Sequence, residues 1–249
     1  MPQDSDVAWE KWGALDPYYG VVSFPEFKAD RFEQNRDRFF EMGRQQIDTV
    51  LARIIKFYGE GSRNRVLDFG CGVGRLVLGL ARYFNEVVGV DVSDAMLAEA
   101  KRNCAESANI LLTKSDDTLS RVSGKFDLVH SYVVLQHIPI NRGMQLTQKM
   151  LELVEDGGVA ALHYSIQRTL TPLKALVYGI KHHVPFGRQM MNLIQKRDWN
   201  LPVMQMNNYP LPELLHCFER NGFENLIIVP ERHSVALTVW IFGKKSVNA

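Results

Sequence analysis

Three glycines at 70, 72 and 74 follow an apolar run that ends in Asp68-Phe69. Glycine tolerates positive φ and has no Cβ, so such a turn lets the backbone approach a ligand with its N–H groups directed outward. Asp91 closes the next apolar run, 21 residues after Gly70, where a carboxylate can accept hydrogen bonds from ribose hydroxyls. The turn and the acid together predict a site for a nucleoside-containing cofactor.

The glycine spacing separates the possible cofactors. A dinucleotide site needs G-x-G-x-x-G, and the sixth position here is Arg75. A Walker-type phosphate loop needs Gly-Lys-Ser/Thr, which does not follow. The pattern Gly70-x-Gly72-x-Gly74 after Asp68 therefore favours a ligand without a pyrophosphate.

A histidine is the first candidate for a general base. His137 lies in Gln136-His137-Ile138-Pro139, just after a predicted strand at 126–130. Open α/β sheets bind ligands at such strand ends, and a histidine with a pKa near neutral can take a proton from an acceptor. The alternative is that His137 only positions its loop. His163 and Tyr164 end the following strand and are candidates for contact with the acceptor.

Alternating short apolar runs and amphipathic stretches must position these residues. Strands are predicted at 65–69, 86–91, 109–113, 126–130 and 158–164, and helices at 31–58, 74–83, 94–104 and 141–153. This alternation predicts a doubly wound parallel sheet. A helix at 211–221 and strands at 223–229 and 236–242 follow, and the short link 230–235 allows only an antiparallel hairpin.

Two regions fall outside that alternation. Residues 1–30 are rich in aromatic and turn-forming residues and are predicted to be an irregular lead-in. Residues 166–210 are too long for an ordinary connection and are predicted to be a helical insertion after the fifth strand. The apolar stripe of the insertion suits core burial, a homodimer face or a lid over the acceptor. Its end offers Met204, Met206, Asn207, Asn208 and Tyr209 as possible acceptor contacts.

Composition narrows the classes of partner. The formal net charge is +1, with 29 basic and 28 acidic residues, which disfavours nucleic acid as a partner. Three scattered cysteines, Cys71, Cys104 and Cys217, indicate neither a disulfide framework nor a zinc site. His182 and His183 have no acidic residue at ligand spacing, so no metal is expected. We expect a cytoplasmic protein without a spanning helix, for which peripheral membrane contact stays open.

Five segments also resemble, in order and spacing, the motifs of class I S-adenosylmethionine-dependent methyltransferases of the bacterial, small-molecule type. They are VLDFGCGVGRL (66–76), VVGVDVSDAMLAEA (87–100), SDD (115–117), FDLVHSYVVLQHIP (126–139) and LVEDGGVAALHYS (153–165). The resemblance implies a Rossmann-like α/β fold with a seven-stranded sheet, parallel except for the last strand. Residues 61–249 would form the methyltransferase domain, and 1–60 a lead-in with a cap helix over the cofactor.

The resemblance also implies roles for individual residues in binding S-adenosylmethionine. Asp68 and the loop Gly70, Cys71, Gly72 and Gly74 would hold the methionine end, with Ser131 facing it. Asp91 would bind the ribose, with Val92 and Met96 beside the adenine and Asp116 or Asp117 near its amino group. Tyr19 and Gly43 would be contacts from the cap.

O-methylation of a small hydroxylated metabolite, such as a sugar, glycolipid or secondary metabolite, is the favoured function. The tetrapeptide that marks amino-group methylation of bases and glutamine is absent after the fourth strand. N-methylation of a small amine, a non-catalytic cofactor-binding module and a nicotinamide-dependent oxidoreductase are the alternatives.

Overall fold

A computed structural model describes residues 4–169, 204–233 and 236–247, together with residues 190, 193, 194, 199 and 202. His182, His183 and the apolar stripe at 170–180 lie outside these residues. Three apolar members of the insertion that are described, Met190, Leu193 and Ile194, are 55%, 66% and 68% exposed, so they are not part of the core.

Seven strands form one sheet in the order β3-β2-β1-β4-β5-β7-β6. The strands are β1 (Arg65–Phe69), β2 (Glu86–Asp91), β3 (Ile110–Lys114), β4 (Phe126–Ser131), β5 (Val154–Arg168), β6 (Phe223–His233) and β7 (Ala236–Lys245). The pairs from β3 across to β5 are parallel, and β7 runs antiparallel to both β5 and β6. The predicted sheet, with its antiparallel last strand, is confirmed.

Helices cover both faces of the sheet. They are α1 (Asp4–Leu15), α2 (Pro17–Val21), α3 (Phe32–Tyr58), α4 (Arg75–Leu80), α5 (Asp94–Asn103), α6 (Ile140–Glu152) and α7 (Leu211–Arg220), with 3-10 turns at Pro25–Phe27 and Leu135–His137. Adjacent residues of β1 face opposite sides, as the period of a strand requires. Val66 packs in the cluster that contains Ile47 of α3, and Leu67 packs in the cluster that contains Leu146 of α6. The loops that carry most of the site residues therefore emerge from strands that are buried on both faces.

The prediction of an irregular lead-in at 1–30 is wrong, because α1, α2 and a 3-10 turn occupy most of it. Aromatic burial explains the difference: Trp12, Tyr18 and Phe27 pack with residues of α3 in a third apolar cluster. Gly13 permits close approach of α1 to α5, since a Cβ there would lie 2.9 Å from the Ala95 Cβ. Tertiary packing thus forms helices that local turn formers disfavour.

Strands β5 and β6 each extend four residues beyond their predicted ends. β5 continues to Arg168, where it pairs with Ala236 of β7, so the segment predicted to be an insertion at 166 begins inside a strand. β6 continues through Pro230 to His233. A proline is tolerated there because β6 is the edge strand of the sheet and needs no ladder donor on its outer side.

Candidate cofactor and acceptor site

A cavity of about 490 Å³ opens at the carboxyl ends of β1, β2 and β4. Helix α1 and the segment 20–24 close one side of it. Nine of the residues predicted to bind cofactor or catalyse line this cavity: Gly70, Cys71, Gly72, Asp91, Val92, Met96, Asp116, Asp117 and His137. The fold therefore brings together residues from four separate sequence motifs.

The glycine loop is shaped by close contacts. Gly70 has φ +76°, and a Cβ there would lie 2.3 Å from the Val134 Cγ2. Gly74 has φ +85° and packs against Cys104, the residue that follows α5, and Gly74 itself does not line the cavity. Only glycine fits such positions without strain.

The loop's N–H groups do not all point outward as expected. Gly70 and Cys71 donate to the Val90 carbonyl at 2.8 and 2.9 Å, and Gly74 donates to the Cys71 carbonyl at 2.9 Å. Gly72 donates to the Asp91 carboxylate at 2.9 Å. The loop thus contributes shape to the cavity, with these four donors satisfied within the protein.

Asp91 holds the loop and lines the cavity at once. Its Oδ2 accepts from the Gly72 N–H and its Oδ1 from the Ser93 N–H, both at 2.9 Å. Burial raises the pKa of this carboxyl to about 6, against the lowering effect of those two hydrogen bonds. Further donors, such as the ribose hydroxyls of a ligand, would stabilise the ionised form.

The turn after β3 forms part of the cavity wall. The Asp116 carboxylate accepts from the Thr118 and Ser120 N–H groups at 2.8 and 3.0 Å. It also contacts both of their hydroxyls, and these hydrogen bonds hold the pKa of Asp116 well below its usual range. Asp116 is therefore both a turn former and a residue of the cavity wall.

An arginine that the sequence analysis did not single out joins this turn to α1. Arg142 of α6 pairs with Asp117 at 2.5 Å and makes a two-pronged ion pair with Asp6 at 2.5 and 2.9 Å. The Arg142 side chain is only 12% exposed, so these charges are partly desolvated and the geometry is the strong bidentate form. The contact fixes α1 across the cavity.

Asp68 and Ser131 lie beneath the glycine loop and do not line the cavity. Asp68 is 1% exposed and accepts from the His130 Nδ1–H at 2.8 Å, which joins β1 to β4. The Ser131 hydroxyl donates to the Phe69 carbonyl at 3.0 Å. Both residues brace the strand ends from which the loop emerges.

His137 lines the cavity, and both of its ring nitrogens already have partners. Nδ1 lies 2.6 Å from the Gln205 carbonyl, an acceptor only, so Nδ1 carries the proton. Nε2 accepts from the Gln136 side-chain amide at 3.2 Å, and Trp9 packs edge-on at 5.0 Å. Burial lowers the pKa of His137 to about 4, despite the hydrogen bond to Gln205. The imidazole is therefore neutral at pH 7.

The remaining predicted site residues lie outside the cavity wall. His163 is buried between the Tyr132 and Trp240 rings, and the Tyr164 hydroxyl pairs with Thr147 in the core. Gly43 of α3 instead packs on α4. Tyr19 packs against Trp12.

Asn207 and Tyr209 support the loop that carries His137. The Asn207 N–H donates to the Gln136 carbonyl at 2.7 Å. The Tyr209 hydroxyl lies 2.9 and 3.0 Å from the carbonyl oxygens of Leu135 and Ile138. Their contact with the cavity is indirect, through this loop.

Val133 between β4 and that loop has φ +60°, a conformation that is strained for a β-branched residue. It lines the cavity with Tyr132 and Val134. Strain of this kind is typical of functional segments, but no sequence pattern marks it in advance.

Sheet order, the strand-end cavity and the acid that ends β2 together define a Rossmann-like protein with a cavity suited to a nucleoside cofactor. Comparison with known proteins narrows this class. Residues 66–158 match the family model described as "Methyltransferase domain". The fold is also that of magnesium protoporphyrin IX methyltransferase from Synechocystis PCC 6803 with bound S-adenosylhomocysteine, with a TM-score of 0.64 and 17% identity over 98% of this chain and 100% of that one.

Curated relatives are similar over part of their length. Trans-aconitate 2-methyltransferase of Deinococcus radiodurans is 35% identical over 100 residues, which are 39% of this chain and 36% of that protein. A 23S rRNA (uracil(1939)-C(5))-methyltransferase of Burkholderia pseudomallei is 35% identical over 126 residues, which are 45% of this chain and 26% of that protein. The chain thus spans well under half the length of these relatives.

Residues 66–158 are thus similar to a methyltransferase domain, and the whole chain has the fold of a methyltransferase whose structures contain S-adenosylhomocysteine or S-adenosylmethionine. The acceptors named for its relatives differ, and one is ribosomal RNA, so the expected exclusion of nucleic acid gains no support. Within the part of the chain that the structure covers, no helix is both long and apolar enough to cross a bilayer.

Proposed function

We propose that this protein transfers the methyl group of S-adenosylmethionine to an oxygen atom of a small acceptor. The observation that carries the proposal is the extent of the cavity. It continues past the glycine loop and Asp91 to side chains that the cofactor motifs do not account for, among them Met42, Gln46 and Thr238. This additional wall mixes apolar surface with a few polar groups, as small-molecule sites commonly do.

The cofactor supplies an electrophilic methyl group on a sulfonium when it is bound. Residues of this chain then have to align the acceptor and keep water away from the reacting atoms. Val134, Ile138 and Leu146 give the cavity an apolar wall, and α1 covers the side next to Arg142. This enclosure supports a role in group transfer beyond simple binding.

His137 remains our candidate for a proton acceptor, on one condition that the geometry sets. Gln136 must turn away and release Nε2, since the hydrogen bond between them occupies the free lone pair. A pKa of about 4 also makes His137 a weak base. An oxygen that is already ionised, such as a carboxylate, needs no base, and this site supports such an acceptor more than an alcohol.

The experiment uses radiolabelled S-adenosylmethionine and three acceptor panels of similar size: carboxylic acids, alcohols and phenols, and amines. Labelled product is then treated with dilute alkali, which releases methanol from a methyl ester and leaves methyl ethers and methylamines intact. We expect label in an oxygen product. Label in amines alone would contradict the proposal, and tight S-adenosylhomocysteine binding without transfer to any panel would favour a non-catalytic binding module.

A further inference from the structure

Arg75 places a buried positive charge on the cavity wall. It follows the glycine loop at the start of α4, lines the cavity and is 7% exposed. The aliphatic part of its side chain packs closely against Gly43 of α3. A Cβ at 43 would lie 2.7 Å from the Arg75 Cγ, so no larger residue fits there without a shift. The guanidinium also lies over the Phe39 ring, with Cζ 5.6 Å from its centroid. Its position is therefore fixed by packing.

No anion pairs directly with this charge within the described part of the chain, although Asp68 attracts it without contact. Arg75 makes neither an ion pair nor a hydrogen bond there, and its Nε is buried without a partner. Burial lowers its pKa, although an arginine keeps its proton in proteins. A buried charge without a partner is strongly unfavourable. Among residues 170–203, most of which the structure does not describe, the sequence holds one acidic residue, Asp198.

Arg142, the other arginine named on this cavity wall, differs from Arg75 because its charge is paired. That arginine is paired with Asp6 and Asp117, so it holds the protein together and has little capacity left for a ligand. Arg75 has its donors free. Two neighbouring polar side chains in the cavity wall, Gln46 and Tyr132, can add hydrogen bonds to an anion bound there.

We propose that Arg75 is a binding residue for a carboxylate group of a ligand in this cavity. This inference rests on the proposed function, since both available carboxylates belong to it: the methionine portion of the cofactor and an acidic acceptor. A planar guanidinium with unused donors matches the two oxygens of a carboxylate. The bound anion supplies the charge that the protein itself lacks at this position.

The test measures binding and stability with purified full-length protein. Arg75→Gln and Arg75→Met remove the charge, and Arg53→Gln is the control, because Arg53 is half-buried but paired with Glu231 at 3.0 Å outside the cavity. Calorimetry gives the affinity for S-adenosylhomocysteine, for its decarboxylated counterpart, and for succinate added to protein saturated with S-adenosylhomocysteine. Thermal unfolding of the ligand-free variants is recorded in parallel.

Two results would support the proposal and assign the carboxylate. If both Arg75 variants lose tenfold or more in affinity for S-adenosylhomocysteine and less than twofold for the decarboxylated compound, the cofactor supplies it. If they bind both compounds normally but lose succinate binding seen in the wild type, the acceptor supplies it. In either case the ligand-free Arg75→Met protein should unfold at the wild-type temperature or above, whereas Arg53→Gln should unfold below it.

Other results would overturn the proposal that Arg75 binds a carboxylate. Unchanged binding of all three ligands by the Arg75 variants would show that the guanidinium serves no anion. Equal losses for S-adenosylhomocysteine and its decarboxylated counterpart, with a lowered unfolding temperature, would show a structural role. Absence of methyl transfer, with carboxylate binding still dependent on Arg75, would instead remove the proposed function and leave this site standing.

Discussion

We predict that Asp91 makes the affinity for S-adenosylhomocysteine depend on pH. Burial raises the pKa of this carboxyl from 3.8 to about 6 in the ligand-free protein. Donors on a ligand would favour the ionised form and return the pKa towards its ordinary value. Between pH 7 and pH 5 the fraction of ionised Asp91 falls about tenfold, so affinity for S-adenosylhomocysteine should fall about tenfold, or about 1.4 kcal/mol.

The same shift has the opposite consequence for ligand-free stability. Asp91 binds its proton more tightly in the folded than in the unfolded chain, so its contribution is fully present below pH 3.8 and is lost as pH rises through about 6. The full shift corresponds to at most about 3 kcal/mol, and partial exposure of the carboxylate reduces this figure. Ligand-free protein should therefore gain urea resistance from pH 7 to pH 5 at this site, while ligand affinity declines.

Asp91→Asn is the decisive variant, because an amide cannot ionise. Calorimetric titration with S-adenosylhomocysteine at half-unit steps from pH 5 to pH 7 should give weaker but pH-independent binding. Asp117→Asn removes another carboxylate from the same cavity and should keep the tenfold change, since Asp91 is intact. Constant affinity in the wild type, or an unchanged pH slope in Asp91→Asn, would refute the assignment of this titration to Asp91.

Three further changes test the loop, the α1 contact and the support of the His137 loop. Gly70→Ala would bring a Cβ within 2.3 Å of a valine side chain, so calorimetry should show at least tenfold weaker binding of S-adenosylhomocysteine. Gly61→Ala is the control and should bind normally, because a Cβ at 61 meets nothing within 4 Å. Arg142→Gln breaks the ion pairs to both of its carboxylate partners, and hydrogen exchange should become faster in α1; unchanged protection would show that other contacts hold the helix. Tyr209→Phe removes a hydroxyl shared by two loop carbonyls. It should lower the free energy of unfolding in urea by about 1–3 kcal/mol and leave cofactor affinity near normal. A large loss of affinity would contradict this supporting role.

The sheet and the cofactor wall could be predicted because their signals are local. Each strand is a short apolar run, and most of the predicted residues that line the cavity lie at strand ends or within a few positions after them. Gly70 and Asp91 come together because β1 and β2 pair in parallel, with Phe69 opposite Val90. Knowledge of two neighbouring strand ends is enough to place such a pair.

Contacts between distant segments could not be predicted in this way. Arg142 meets Asp6 across 136 positions, and Tyr209 meets Leu135 across 74. Neither pair has a spacing that the period of a helix or strand would reveal. Tyr209 was expected at the acceptor because of its type and place in the chain, whereas its hydroxyl satisfies backbone carbonyls.

Because the N–H donors of the glycine loop are satisfied within the protein, the loop and the side chains of this cavity have different roles towards a ligand. A loop whose N–H groups were free would bind an anion, as loops that hold pyrophosphate do. Here the N–H groups of Gly70, Cys71 and Gly72 are taken by Val90 and Asp91. The loop can therefore fit closely around a ligand, but any negative charge on that ligand must be met by a side chain. The next residue after the loop is Arg75, the arginine with unused donors on this wall.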